Sequence, residues 1–248
     1  MKSIRRLVIF IASITLMACA MVAPPTSITT PTKQSTPISS TSDDHSWLMK
    51  QPCAAPCWEG ITPGVTTAED AQKLLQQNAS FSDVKFYIPK VSQENSGITW
   101  NWRGTNDDGE ADFDGSSVTH VITTIRTSLP NPVTLGDVTA AYGDPNYVSA
   151  EAQGGDNPNQ LAYGLYLYYI SSGFYLNISN YGNVMVKPVI TLETPIYSVS
   201  FFSASIDGLN IALGGNNIQN QIIPWQGTFD FDVYCNLQYK SEAIWHCK

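Results

Sequence analysis

The sequence predicts an α+β protein built from two tandem helix-plus-antiparallel-sheet units behind a disordered tether. Three observations point there. The stretch Val65-Thr66-Thr67-Ala68-Glu69-Asp70-Ala71 is echoed by Val133-Thr134-Leu135-Gly136-Asp137-Val138, so a helix start occurs twice. Each copy is followed by segments in which apolar and polar residues alternate with the period of a half-buried strand. Residues 20–46 are almost wholly Ala, Pro, Ser and Thr with a few polar residues, and Pro24, Pro25, Pro31 and Pro37 break any helix or ladder there.

In chain order, Lys2, Arg5 and Arg6 lead into an apolar run from Leu7 to Leu16, closed by Met17-Ala18-Cys19. A basic stretch, a short apolar stretch and a small residue before a cysteine have the layout of an export signal. The alternative is an uncleaved helix anchor, because the apolar run to Ala23 sits at the lower edge of a spanning length. The end Leu16-Met17-Ala18-Cys19 resembles the lipobox of bacterial lipoproteins. That resemblance implies removal of residues 1–18 as a signal peptide and lipidation of Cys19, which places the chain on the extracytoplasmic face of the cell membrane. Two or three acyl chains, at ~0.8 kcal/mol per buried methylene, exceed what a reversible anchor supplies. Residues 19–46 then form a flexible tether.

The first unit is expected over 47–131 and the second over 132–206, with 207–248 as an extension packing on the body. Thr67 with Asp70, and Thr134 with Asp137, have the capping-box spacing. The Thr oxygen accepts an orphan N–H, the acid reaches back, and its charge suits the helix dipole. The first helix carries Ala68, Ala71, Leu74 and Leu75 on one face. The second carries Leu135, Val138, Ala141 and Tyr142 and is stopped by Gly143-Asp144-Pro145. Strands are expected through Val84, Phe86 and Ile88, through Ile98, Trp100 and Trp102, and over 119–126. After the second helix they are expected at 161–170, 174–179, 188–193 and 196–203, with Ser171-Ser172-Gly173 as a hairpin turn. In the extension, Gly208, Gly214 and Gly215 predict a long loop, and Phe229, Phe231 and Val233, alternating with Asp230 and Asp232, a last strand.

Charge narrows the function. Without residues 1–18 the chain has ten Lys and Arg against 21 Asp and Glu, a net charge of −11. Nothing offsets phosphate repulsion, so nucleic acid is excluded as a partner, and docking on anionic lipid is disfavoured. Charged residues make up only 14% of the chain, against roughly 25% in an average globular protein. Ser, Thr, Asn, Gln and Tyr replace them, as in exported β-rich proteins.

With Cys19 lipidated, Cys53, Cys57, Cys235 and Cys247 remain, an even set that reads as two disulfides in an exported chain. Three pairings are open, and proximity in sequence favours Cys53–Cys57 and Cys235–Cys247. A four-cysteine zinc site is the alternative.

The pattern Val133-Thr134-x-x-Asp137-Val138 closed by Gly143-Asp144-Pro145 resembles the SmpA/OmlA (BamE-like) lipoproteins, which combine a lipobox, a short tether, a helical start and a small antiparallel sheet. Tandem copies of such a unit form the β-lactamase-inhibitor-protein fold. The opening Cys53-x3-Cys57-Trp58-x-Gly60-Ile61-Thr62-Pro63-Gly64 is similar to that of uncharacterised repeat-containing surface lipoproteins of the Chloroflexi group, a family without an assigned activity. Two units and a C-terminal extension depart from the BamE pattern.

Candidate sites are few. In Asp107–Gly115, Glu110, Asp112, Asp114 and Gly115 sit where a calcium loop places its first ligands and its turn glycine, but the twelfth position is Val121 in place of an acid. The competing reading is a solvated hairpin turn. His45, His120 and His246 have no Ser or Cys in a recognisable catalytic setting, and no G-x-S-x-G or H-E-x-x-H occurs. Tyr166 and Tyr168, with Tyr175 on the next strand, form either an exposed aromatic platform or a face covered by a second layer. The sequence therefore points to non-catalytic binding of a protein or envelope glycan, without a cofactor other than a weak calcium site. An exported hydrolase acting on envelope polymers and an inhibitor of a secreted enzyme are the alternatives.

Overall fold

A computed structural model describes residues 45–88, 96–154, 161–179, 189–215, 218–235, 237–240 and 244–247. All belong to one unit, Ser39–Lys248. Cys19, the export signal and the tether up to residue 44 lie outside the described residues, as does the side chain of His246.

The chain is a mixed α+β protein. Helix α1 (Ala68–Gln77) precedes strands β1 (Phe81–Tyr87), β2 (Ser96–Trp102), β3 (Asp108–Phe113) and β4 (Ile122–Thr134). Helix α2 (Leu135–Tyr142) precedes β5 (Tyr147–Gly154), β6 (Leu161–Tyr169), β7 (Phe174–Ser179) and β8 (Pro195–Phe202). These strands and the short β9 (Ile223–Pro224) form one nine-stranded sheet in the order β1-β2-β3-β4-β8-β7-β6-β5-β9. Every neighbouring pair is antiparallel, so each half is a meander and β4 and β8 meet in the centre.

Both long helices start as the sequence expects. The Thr67 side chain accepts from the Asp70 N–H, and Thr134 with Asp137 forms a complete capping box. In α1 the box is half made: the Asp70 carboxylate accepts from the Thr67 hydroxyl and from Lys73. Gly143 ends α2 at φ 79°, a left-handed conformation that costs glycine little.

Alternation along the strands builds two unlike faces. On one, Ile98, Trp100, Ala111, Ile125, Leu165, Leu167, Phe174 and Val199 join Ala68, Ala71 and Leu75 of α1 and Leu135 and Val138 of α2 in the main core. Two tryptophans that precede α1 belong to this core. Trp58 stacks on Trp100 with centroids 5.3 Å apart, and Trp47 stacks on Tyr142 while meeting Phe174 edge-on at 5.5 Å. Each is 1% exposed, which at ~25 cal/mol per Å2 over ~200 Å2 is roughly 5 kcal/mol of gross burial apiece before ordering costs.

Several expectations are corrected. Residues 108–113 are strand β3, inside the sheet, and the turn lies instead at 103–107, where Arg103 donates to the Ala79 and Phe81 carbonyls. Strand β5 has no counterpart among the expected strands. Among the described residues, 189–194 form no strand. The Thr191–Thr194 turn places Thr194 O and Leu192 O on the Leu135 and Gly136 N–H groups, satisfying donors that α2 leaves open.

In the extension, the expected loop after residue 206 begins with helix α3 (Ile206–Ala212), capped by Ser205. The expected last strand is helix α4 (Phe231–Tyr234), capped by Asp230. Phe231 and Tyr234 are buried three residues apart while Val233 is 47% exposed, a helical and not an alternating pattern. The extension ends in a hairpin of β10 (Leu237–Lys240) and β11 (Ile244–Cys247), with β11 against β5. The local disulfides Cys53–Cys57 and Cys235–Cys247 are both formed.

A candidate binding face

The sheet face opposite α1 and α2 carries a single row of cross-strand partners from β1 to β5: Lys85, Thr99, Glu110, Arg126, Ser200, Tyr175, Tyr168 and Tyr147. Residues one position away in each strand belong to the main core, so period-two alternation alone places these side chains together. The row splits into two regions of different chemistry.

On the β8–β5 side it is aromatic and covered. Helix α3 folds back onto this face directly after β8. Leu209 and Ala212, with Ile218, pack on Phe202, Tyr168 and Tyr175 in a second, smaller core. Tyr168 is 2% exposed and Tyr175 7%, and the Tyr168 hydroxyl pairs with Ser149 Oγ at 2.9 Å. Burial raises the Tyr168 pKa well above the ordinary tyrosine range. Of the two readings open for Tyr166, Tyr168 and Tyr175, the structure shows the face covered by a second layer at Tyr168 and Tyr175, while Tyr166 keeps partial exposure. The extension supplies the cover because Ser205 starts a helix where the glycines suggested a loop.

Over β2–β4, and over Ser198 and Ser200 of β8 and Asn177 of β7, the face is polar and open. A groove of about 580 Å3 runs over it, lined by Thr99, Asn101, Asp108, Glu110, Arg126, Ser128, Tyr175, Asn177, Ser198 and Ser200. Its size is in the range of small-ligand sites. Ser128, Ser198 and Ser200 keep its floor low, because small side chains stand where β4 and β8 pair.

A charged network fixes the β3–β4 part of this face. One terminal nitrogen of Arg126 donates to Asp112 Oδ2 at 2.6 Å and to Glu110 Oε2 at 3.1 Å. The Tyr87 hydroxyl donates to Glu110 Oε1 at 2.6 Å. Burial and the Glu110 carboxylate push the Tyr87 pKa up. Burial works against ionisation of Glu110, but the Tyr87 hydroxyl and Arg126 outweigh it and lower its pKa. At Asp112 burial wins over Arg126, and its pKa is raised. Its Oδ1 is buried without a hydrogen-bond partner.

These positions answer the calcium expectation. Glu110 and Asp112 share a face of β3, but Arg126 stands between them where a cation would have to sit. Asp114 lies past the strand end, exposed, and accepts from the Ser116 hydroxyl and N–H. Among the described residues, no group of three or more His, Cys, Asp and Glu gathers as metal ligands. Two carboxylates with proton affinities pushed apart are also what acid–base chemistry uses. Here Asp112 is only 7% exposed and tied to Arg126, so the pair positions a guanidinium and presents no second acid to a ligand. His120 stands apart from this face, its Nδ1 3.0 Å from Glu69 Oε1 at the start of α1.

Sequence reasoning singled out Glu110 and Asp112 but missed Arg126, Tyr87 and Asn177. The signal for Arg126 was present: one charge inside the otherwise uncharged run Ile122–Leu129, at the parity opposite to Ile125. Its two partners could be found only once β3 was recognised as a strand.

Compared with models of known protein families, with curated proteins and with solved structures, the chain matches none. Among the described residues no helix is long and apolar enough to cross a membrane.

Proposed function

We propose that this chain is an exported lipoprotein, held at the extracytoplasmic face of the membrane by acyl chains on Cys19 and the 19–46 tether, which binds a protein or envelope component through the open half of its second sheet face. The basic-apolar-cysteine layout of residues 2–19 supports the anchor. The two disulfides agree with an oxidising compartment. The observation that carries the binding role is the groove itself. It is a polar, serine-floored hollow with a guanidinium held in place by Asp112 and Glu110, on a sheet whose other face packs into the main core. Groups fixed before a partner arrives lose little entropy on binding.

In the same reading the fold is two tandem units of the kind that BamE-like and β-lactamase-inhibitor proteins resemble. Support comes from the order of elements, a Thr-capped helix and a four-stranded meander, twice, joined at β4 and β8.

Two measurements test the proposal. A fatty-acid label enters the wild-type chain and is lost from Cys19→Ser; persistent labelling refutes the anchor. Ser198→Trp fills the groove from its floor, and partners cross-linked to the surface-displayed protein in intact cells are expected to disappear. Unchanged partners in a folded Ser198→Trp chain refute the face.

A further inference from the structure

The charges around the groove do not balance. Asp108 at the rim, Glu110 on the wall and Asp112 behind it face one guanidinium, Arg126. Lys85 is exposed on β1, beyond Thr99, and does not line the groove. Two acceptors also lack donors, Asp112 Oδ1 in the network and Asn177 Oδ1 in the groove lining, and both atoms are buried. A buried acceptor left open costs about 1–3 kcal/mol, so the side chains packed behind this face are short of donors. Neither Asp112, locked to Arg126, nor Glu110, held by Tyr87 and Arg126, can turn away to relieve the excess.

We infer that the groove is a specificity pocket for a cationic side chain, an arginine or lysine presented by a protein partner, seated beside Arg126 between Asp108, Glu110 and Asn177. This rests on the binding-face reading above and names the chemistry of the partner. An arginine suits the site best. Its flat fork delivers several donors at fixed angles, it is weakly hydrated, and it stacks on another guanidinium when carboxylates flank the pair. The surplus of negative charge on the chain favours the encounter with a basic surface in the same direction.

The test uses the full chain carrying Cys19→Ser and two small probes, N-acetyl-arginine methylamide and its neutral isostere N-acetyl-citrulline methylamide, with amide shifts of Ser198 and Ser200 read by NMR. The arginine probe is expected to shift these amides saturably, and the citrulline probe to bind at least about tenfold more weakly, the loss of one charged hydrogen-bonding partner. Glu110→Gln and the exposed-rim change Asp108→Asn each weaken the arginine probe, while Asp207→Asn on the far side of α3 leaves it unchanged. Equal binding of citrulline, an effect of Asp207→Asn as large as that of Glu110→Gln, or no saturable shift overturns the inference. If Ser198→Trp abolishes cross-linked partners while the arginine probe fails, the face is a binding face and only its cation preference falls.

Discussion

The two halves of the second sheet face have the same backbone and opposite fates. On the β5–β8 side, α3 closes over Tyr168, Tyr175 and Phe202, and the surface becomes a second core. Over β2–β4 and the Ser198–Ser200 part of β8, Thr99, Glu110, Arg126 and Ser200 continue the same row, these positions offer no apolar side chain for a helix to bury, and the groove stays open. A sheet face is thus closed or left open by what a few alternating positions carry. Aromatics at β6 and β7 invite a cover, while ion pairs and serines at β3, β4 and β8 deny one. Charges that must stay hydrated or paired cannot be roofed by leucines without a penalty of several kcal/mol.

Changes that attack this contrast should differ in size. Leu209→Ala removes the α3 anchor from the closed half. The expected loss is about 2–5 kcal/mol in denaturant unfolding, with faster hydrogen exchange in β6 and β7. A loss below ~1 kcal/mol would mean that α3 rests on the face without holding it. On the open half, Arg126→Met leaves Asp112 buried and unpaired. The expected cost is about 2–3 kcal/mol, below the full buried-pair range because Arg126 keeps 38% of its side chain exposed. Asp112→Asn should recover part of that cost when combined with Arg126→Met, and additivity of the two would contradict a shared network.

The helix caps bring a smaller effect. Thr134→Ala breaks a complete box and should cost ~1 kcal/mol, somewhat more than Thr67→Ala, where the box is half made. The smallest effect is in pH. Glu110 has a lowered pKa in the folded chain, so its contribution is present above the ordinary value of 4.5 and is lost as pH falls through the folded value. Since its side chain is about a third exposed, wild type should exceed Glu110→Gln by no more than ~1 kcal/mol at neutral pH, with the gap closing in acid. A gap that widened in acid would contradict the sign.

Much of this was legible in the residues. Thr67 and Thr134 announced both helices, and Trp100, Trp102 and the Leu165–Leu167 run announced core strands by alternation alone. Strand β3 was hidden because its outward positions are all acidic, so charge density read as a turn. The inward set, Gly109, Ala111 and Phe113, is small but strictly alternate and was the available signal. Helix α4 was hidden by the opposite coincidence, a Phe-Asp-Phe-Asp-Val pattern whose alternation the Asp230 cap overrides. The ion network stayed out of reach because pairing between β3 and β4 is a register, and register appears only in three dimensions.

On the proposed function, partners are expected to meet the open half and not the closed one. A photo-crosslinking residue at Thr99, in the groove, and another at Ile211, on the outer side of α3 and 57% exposed, sample the two halves in one cell type. Discrete cross-linked species are expected from Thr99, lost when Ser198→Trp is added, and none from Ile211. Species formed from Ile211 alone, or from both positions alike, would contradict it.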